Sequence, residues 1–397
     1  MRYVNRMLRI AIALALASTV PACGPAPKPP KPVKQEPVDN GAADALAKAR
    51  DAKKQGDIDG ADKLYAQAYD ANKSFDVLVE RVEMLVHAGR AQRAADAAKP
   101  YYDANMTDLK GYNLYAEALL AQEKGAEAME VADQMIGMNG DDPSSHEKKG
   151  RALILLDKPD QGIDELRKAV KLAPDGEQYH VALGNALVKA GKLDDAQIEF
   201  RFAIKAAPND VEALVLLGSA QRATNQVDDA TASLKKAIEL DPRNGRAYFE
   251  LGLLYNANGK QADAEQALSQ AVQLSPNESL FWYAYGEIFR VSERFDEAIN
   301  AYKKAAALDP PYPKALTKLG LLLIDKKQYD DAEIALTQGI RREPKAAANY
   351  LPLGKLYAAE KKKPQAIDAY EKFLELAPKT DPERNAAKEA IAELKRH

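Results

Sequence analysis

Four histidines, one cysteine and four pairs of adjacent aspartates are the side chains with most chemistry to offer in this sequence of 397 residues. A metal centre or an acid–base pair needs two or three such groups converging, and on a helix that means a spacing of three or four residues. His87, His146, His180 and His397 are scattered, with no second histidine or cysteine at that spacing. The patterns HExxH, GxxxxGK[ST] and GxSxG, which would mark a zinc protease, a phosphate cradle and a nucleophile elbow, do not occur. Cys23 has no base beside it to activate a thiolate. The aspartate pairs begin at Asp141, Asp194, Asp228 and Asp330, and the last three recur at the starts of predicted helices. There a carboxylate complements the positive end of the helix dipole, a structural role rather than a metal site. The chain is therefore expected to be non-catalytic, with no metal, no cofactor and no small-molecule substrate.

The elements that position every residue are set by a repeat. Glycines stand at 150, 184, 218, 252, 286, 320 and 354, and prolines at 174, 208, 242, 276, 310, 344 and 378, both at a step of 34. Between these beats each block reads as two helices. In the block from Gly245 to Glu278, Tyr248, Leu251, Gly252 and Tyr255 fall on one helical stripe, and Ala264, Leu268 and Ala271 on a second. Gly259 is placed to turn the chain out of the first helix, and Pro276 to stop the second. Gly252 and Ala264 would be small because the two helices cross closely there. A lone hairpin cannot bury its apolar stripe, so neighbouring hairpins must stack.

These residues resemble the tetratricopeptide repeat, W-x2-L-G-x2-Y followed by A-x3-F-x2-A and a closing proline. "WYAYGEIF" supplies Trp282, Tyr285, Gly286 and Phe289, followed by Ala298, Tyr302, Ala305 and Pro310. "YFELGLLY", "HVALGNAL", "LVLLGSAQ", "LTKLGLLL" and "YLPLGKLY" fill the same places in other copies. Seven copies from Pro143 to Thr380 fit closely, and three eroded ones occupy residues 41–142, with Ala116 in the glycine place and Pro100 as an expected helix breaker. Residues 381–397 have a heavily polar helical pattern, as a capping helix should. The resemblance implies an all-α fold, a right-handed solenoid of about ten helix-turn-helix repeats. His180 then falls at a core place and is expected to be packed.

Upstream of the repeats, Arg2, Arg6 and Arg9 precede the apolar run "IAIALALA" and the small residues before Cys23. That order reads as a signal peptide over residues 1–22, too short in its apolar part for a lasting membrane span. "VPAC" resembles the lipobox of bacterial lipoproteins, with Val20 and Ala22 in the apolar and small places and Pro21 between them. That resemblance implies cleavage before Cys23 and its lipidation. With Gly24 rather than aspartate next, it implies anchoring to the outer membrane, the repeats lying in the periplasm. The alternative is ordinary cleavage after Ala22, leaving a soluble exported protein with a free thiol. Residues 23–40, rich in proline and lysine, form a semi-rigid tether. The formal charge is −3 with both signs well mixed, so nothing points to nucleic-acid binding and no nucleic-acid partner is expected. A single cysteine permits no internal disulfide.

Repeats of this family present their first helices along a concave groove. The fifth place gives Val181, Val215, Phe249, Tyr283, Thr317 and Leu351, and the ninth adds Leu253 and Leu321. Such a lining suits an extended peptide or an amphipathic helix of a partner protein. Arg222, Arg246, Arg290, Lys314 and Lys318 flank it and would favour acidic partners. The alternative is that the apolar residues pack against the neighbouring hairpin and the basic ones are merely solvated. The clamp of lysines, asparagines and arginine found in chaperone-binding relatives is missing: Asn185 holds one of its places, but Val181 and Leu216 stand where lysine and asparagine are needed. The resemblance extends to outer-membrane tetratricopeptide lipoproteins, pilotins of type IV pilus secretins among them. It implies a scaffold that assembles or localises an envelope complex such as pilus, secretion or motility machinery. An adaptor for cell-wall hydrolases or polysaccharide export, or a regulatory subunit of a separate enzyme, are the alternatives.

Overall fold

A computed structural model of the chain describes residues 40–308 and 310–396. The signal, Cys23, almost all of the tether and His397 lie outside the described residues. Among those described there are twenty-one α-helices and no strand. The chain divides into two compact units, Met1–Val77 and Leu78–His397.

In the first unit, α1 (Asn40–Lys54) and α2 (Ile58–Asn72) form a hairpin around the fully buried Ala49, Ala61, Tyr65 and Ala68. Asp57 caps α2 by accepting from the backbone N–H of Gly60 at 2.9 Å. The boundary between the units falls inside α3 (Phe75–His87).

The second unit continues as α4 (Ala91–Ala104), then as pairs of a first and a second helix: α5 (Leu109–Ala121) with α6 (Gly125–Met138), α7 (Pro143–Leu155) with α8 (Pro159–Leu172), α9 (Glu177–Lys189) with α10 (Leu193–Ala206). The next pairs are α11 (Val211–Ala223) with α12 (Val227–Leu240), α13 (Gly245–Ala257) with α14 (Gln261–Leu274) and α15 (Ser279–Val291) with α16 (Phe295–Ala307). The last are α17 (Pro313–Asp325) with α18 (Tyr329–Arg342) and α19 (Ala347–Ala359) with α20 (Lys363–Leu376), followed by α21 (Arg384–Arg396). Each hairpin packs on the next, so the apolar stripes of neighbours close one another off.

The 34-residue glycine is a hole for a side chain rather than a bare crossing point. A Cβ at Gly218 would stand 2.6 Å from Leu234 Cγ, and one at Gly286 would stand 2.7 Å from Tyr302 Cε1. Gly252 likewise makes room for Leu268. In α5 the glycine place holds Ala116, and the place on α6 that is large elsewhere has shrunk to Ala132, both fully buried. The eroded repeat thus conserves volume by trading the two residues together.

The turns inside the hairpins repeat as well. Gly191 and Gly259 adopt left-handed backbone at φ +72, and the equivalent place holds Glu123, Asp157, Asn225, Glu293, Lys327 and Lys361, all at φ near +60. A side chain there costs about 1–2 kcal/mol that glycine avoids. Replacing the exposed Glu293 by glycine should therefore raise the urea midpoint, by about 1 kcal/mol in unfolding free energy. An unchanged or lower midpoint would mean that the turn holds no such strain.

Several expectations are refined by packing. Pro100 does not break its helix: α4 runs through it, and both Pro100 and Asp96, whose carbonyl loses its i+4 donor to the proline, lie at exposed positions. His180 is buried as expected, its Nδ1 2.7 Å from Glu199 Oε2 and its Nε2 2.8 Å from Pro174 O. His146 does the same with Glu165 and Gly140, and Trp282 and Tyr350 donate to the carbonyls of Pro276 and Pro344 at 2.8 Å. The aromatic place of the repeat thus ties down the carbonyl six residues upstream. The pairs at Asp194, Asp228 and Asp330 lie in first turns of α10, α12 and α18. At the end, α21 covers Tyr370 and Phe373 with Ala387, Ile391 and Leu394, and Arg384 donates to the carbonyls of Leu374 and Ala377 at 2.6 and 2.8 Å.

Candidate binding groove

First helices touch one another directly: α5 meets α7 and α7 meets α9, and α11, α13 and α15 form a similar series, as do α17 and α19. The fifth and ninth places of these helices, counted from their first residues, decide what such a face offers. Two of the predicted lining residues are not exposed. Val215 is fully buried and Phe249 is 5% exposed. The reason is the third place of the next first helix, which lies over the fifth place of the one before. Phe281 stacks on Phe249 with ring centroids 4.3 Å apart, and Val215 packs in one cluster with Ala247 and Leu251. These two residues are core.

Val181, Leu253, Tyr283, Thr317, Leu321 and Leu351 are half-buried. Tyr283 lies against Tyr312 at 4.4 Å between centroids, and burial, aided by the charge of Glu287, pushes its hydroxyl up to about 12. The flanking cations are largely neutralised in place. Arg222 Nε donates to Glu250 Oε2 at 2.9 Å, Arg246 pairs with Glu212, and Arg290 Nη2 donates to Glu287 Oε2 at 3.0 Å. Lys318 Nζ lies 3.7 Å from Glu287 Oε1, while Lys314 is exposed. Arg222, Arg246 and Arg290 therefore do not form a charged rim ready for an acidic partner, because carboxylates of their own or adjoining first helices already occupy them.

A concavity lies between α5, α7 and α9, a cleft of about 570 Å³. Leu120, Ile154, Leu155, Val181 and Ala182 make its apolar wall. Its charged floor was not singled out in the sequence. Lys148 Nζ donates to Glu117 Oε2 at 2.7 Å and lies 2.7 Å from Glu147 Oε2. Arg151 closes the ring: Nη1 donates to Glu117 Oε2 at 2.7 Å and Glu147 Oε1 at 2.9 Å, and Nη2 to Glu117 Oε1 at 3.0 Å. The last two bonds to Glu117 make a two-pronged fork. Glu147 and Lys148 are buried. Burial by itself would raise the Glu117 carboxyl, but Lys148 and Arg151 overcome it and hold it at about 2. Burial also opposes the charge on Lys148, yet Glu147 and Glu117 keep its ammonium above the ordinary lysine range.

Of the residues predicted to line a groove, only Val181 belongs to this cleft. The missed residues had a signal. The fifth and ninth places one repeat earlier are Glu147 and Arg151, and the ninth place of the repeat before that is Glu117. Lys148 had none, because its buried position is decided by how α5 and α7 meet.

Glu177 stands at the rim. Burial, together with the hydrogen bond and charge of Asp210, pushes its carboxyl up from 4.5 to about 7. The folded chain then holds this proton more tightly than the unfolded chain does. The contribution to stability is full below about pH 4.5 and is lost as pH rises to about 7. Urea midpoints measured from about pH 4 to about pH 8 should fall less steeply in Glu177→Gln, which has no proton to lose. Identical slopes in the two proteins would count against the shared proton.

Known proteins share the repeat and the fold. Family models described as tetratricopeptide repeat match residues 46–108, 181–231 and 219–279, then 292–353 and 350–380. A model described as YpiA-like tetratricopeptide repeats matches 262–309. No curated protein matches the sequence. Among solved structures, yeast Tom70 superposes with a TM-score of 0.54 at 15% identity, over 90% of this chain and 96% of that one. A chain of the APC/C hetero-tetramer Cut9–Hcn1 gives 0.50 at 15% identity, over 89% of this chain and 76% of its own. At these identities the likeness is one of fold.

Proposed function

We propose, for a chain that belongs to the tetratricopeptide-repeat family, a non-catalytic scaffold that holds a protein partner in the cleft of α5, α7 and α9. Stacked hairpins of this kind generally serve protein–protein interaction through an extended concave surface. The observation that carries the reading is the cleft itself: about 570 Å³, apolar on one wall, polar on its floor and formed on first helices. We further propose that the scaffold acts in the cell envelope, lipid-anchored through Cys23 to the outer membrane with its repeats in the periplasm. The basic, apolar and small-residue order of residues 1–22 and the "VPAC" sequence support that placement. Its task would be assembly or localisation of an envelope complex.

Photo-cross-linking in intact cells tests the groove. A benzophenone amino acid placed at position 155 or 181 should give partner adducts identifiable by mass spectrometry. The same probe at position 202, where Phe202 is 46% exposed on second helix α10, should give none. Adducts from position 202 alone would move the binding face to the second helices. Cys23→Ser should abolish lipid labelling and release the protein from membranes; retention with undiminished labelling would end the lipoprotein proposal.

A further inference from the structure

We infer that the α5/α7/α9 cleft takes an uncharged, apolar stretch of its partner polypeptide and turns charged side chains away. The inference rests on the groove reading above and adds the chemistry of the occupant. The floor carries two carboxylates and two cations, and they consume one another. Lys148 serves Glu117 and Glu147, and Arg151 spends its fork on Glu117 while also reaching Glu147.

A partner carboxylate could take the Arg151 fork only by displacing Glu117, and at the guanidinium N–H groups left over it would add a third anion to two cations. Displacement would strand Glu117 beside a buried Lys148 with one anion too many. A partner cation would have to displace Lys148, which is itself buried and has no other carboxylate to turn to within the ring. Either exchange leaves an uncompensated charge in a partly desolvated cleft, which opposes binding. An apolar side chain meets no such penalty. It gains contact with Leu120, Ile154 and Val181, and with Leu155, which is 37% exposed.

The rim adds one charge of each sign, Glu177 and Lys189, whose ammonium donates to the carbonyl of Ile154 at 3.3 Å, so the cleft's charged lining balances at three carboxylates and three cations. The face made by α15 and α17 differs. There Glu287 meets both Arg290 and Lys318, leaving one cation in excess. Charge complementarity thus assigns the uncharged occupant to the cleft and not to the face as a whole.

The test uses three fluorescein-labelled peptides, acetylated and amidated at their ends, with one leucine–alanine–phenylalanine core flanked by glutamine, glutamate or lysine. Binding is read by anisotropy at about 50 and about 500 mM salt. The glutamine-flanked probe should bind about tenfold more tightly than the other two, with less than about twofold change between the salts. Leu155→Asp, at an exposed wall position, should abolish its binding, whereas Phe202→Asp on the second-helix face should not. If a charged probe binds most tightly and is lost in Leu155→Asp, the cleft is a peptide site but the inference about its occupant is overturned. If no probe responds to Leu155→Asp, the groove reading itself falls, and the inference with it.

Discussion

Phe249→Ala should lower the unfolding free energy by about 3–5 kcal/mol, the cost of emptying a packed aromatic site. The ring is 5% exposed and lies parallel to Phe281, with Leu268, Val272 and Ile288 closing the same cluster. Because Phe249 belongs to α13 and Phe281 to α15, the cavity opens at an interface between repeats. Stacked repeats draw much of their stability from such interfaces. Urea denaturation should show the loss, and amide exchange in α13 and α15 should accelerate together. A fall below about 1 kcal/mol would return Phe249 to the open groove, where its sequence position first suggested it belonged.

Glu147→Leu should cost about 2–4 kcal/mol, for an electrostatic reason. Leucine approximates the volume of the glutamate, so little packing is lost. What disappears is one of two carboxylates facing two cations, and Lys148 is too deeply buried to recover by turning to water. The surviving Glu117 still faces Lys148 and Arg151, which keeps the cost below that of a fully stranded ion. The companion prediction is sharper. Glu147→Leu combined with Arg151→Leu restores neutrality and should recover most of the loss, since apolar replacement of a whole buried pair is often neutral. A double variant no more stable than the single one would show that the ring contributes through geometry rather than charge balance.

The two predictions mark where sequence reading succeeded and where it stopped. The 34-residue step, the glycine place and the closing prolines make the hairpins legible, because each depends on residues near one another in the chain. Even the eroded repeat was readable in principle, since Ala116 grows from the glycine place while Ala132 shrinks in compensation. The lining of the face was not. Val181 and Val215 occupy the same place in successive repeats, yet one is half-buried in the wall of the cleft and the other is fully buried. Nothing in either residue separates them.

The sequence by itself determined the repeat, its helices, the turn at Gly259 and the scarcity of catalytic groups, all of them properties of local spacing. Only the tertiary structure decided which side chains of the first helices remain open, that Arg222, Arg246 and Arg290 are already paired, and that Glu117, Glu147, Lys148 and Arg151 meet in one ring. The physical reason is that burial and charge pairing depend on the neighbour one repeat away. That neighbour's size and charge vary freely from copy to copy, while the step of 34 residues does not.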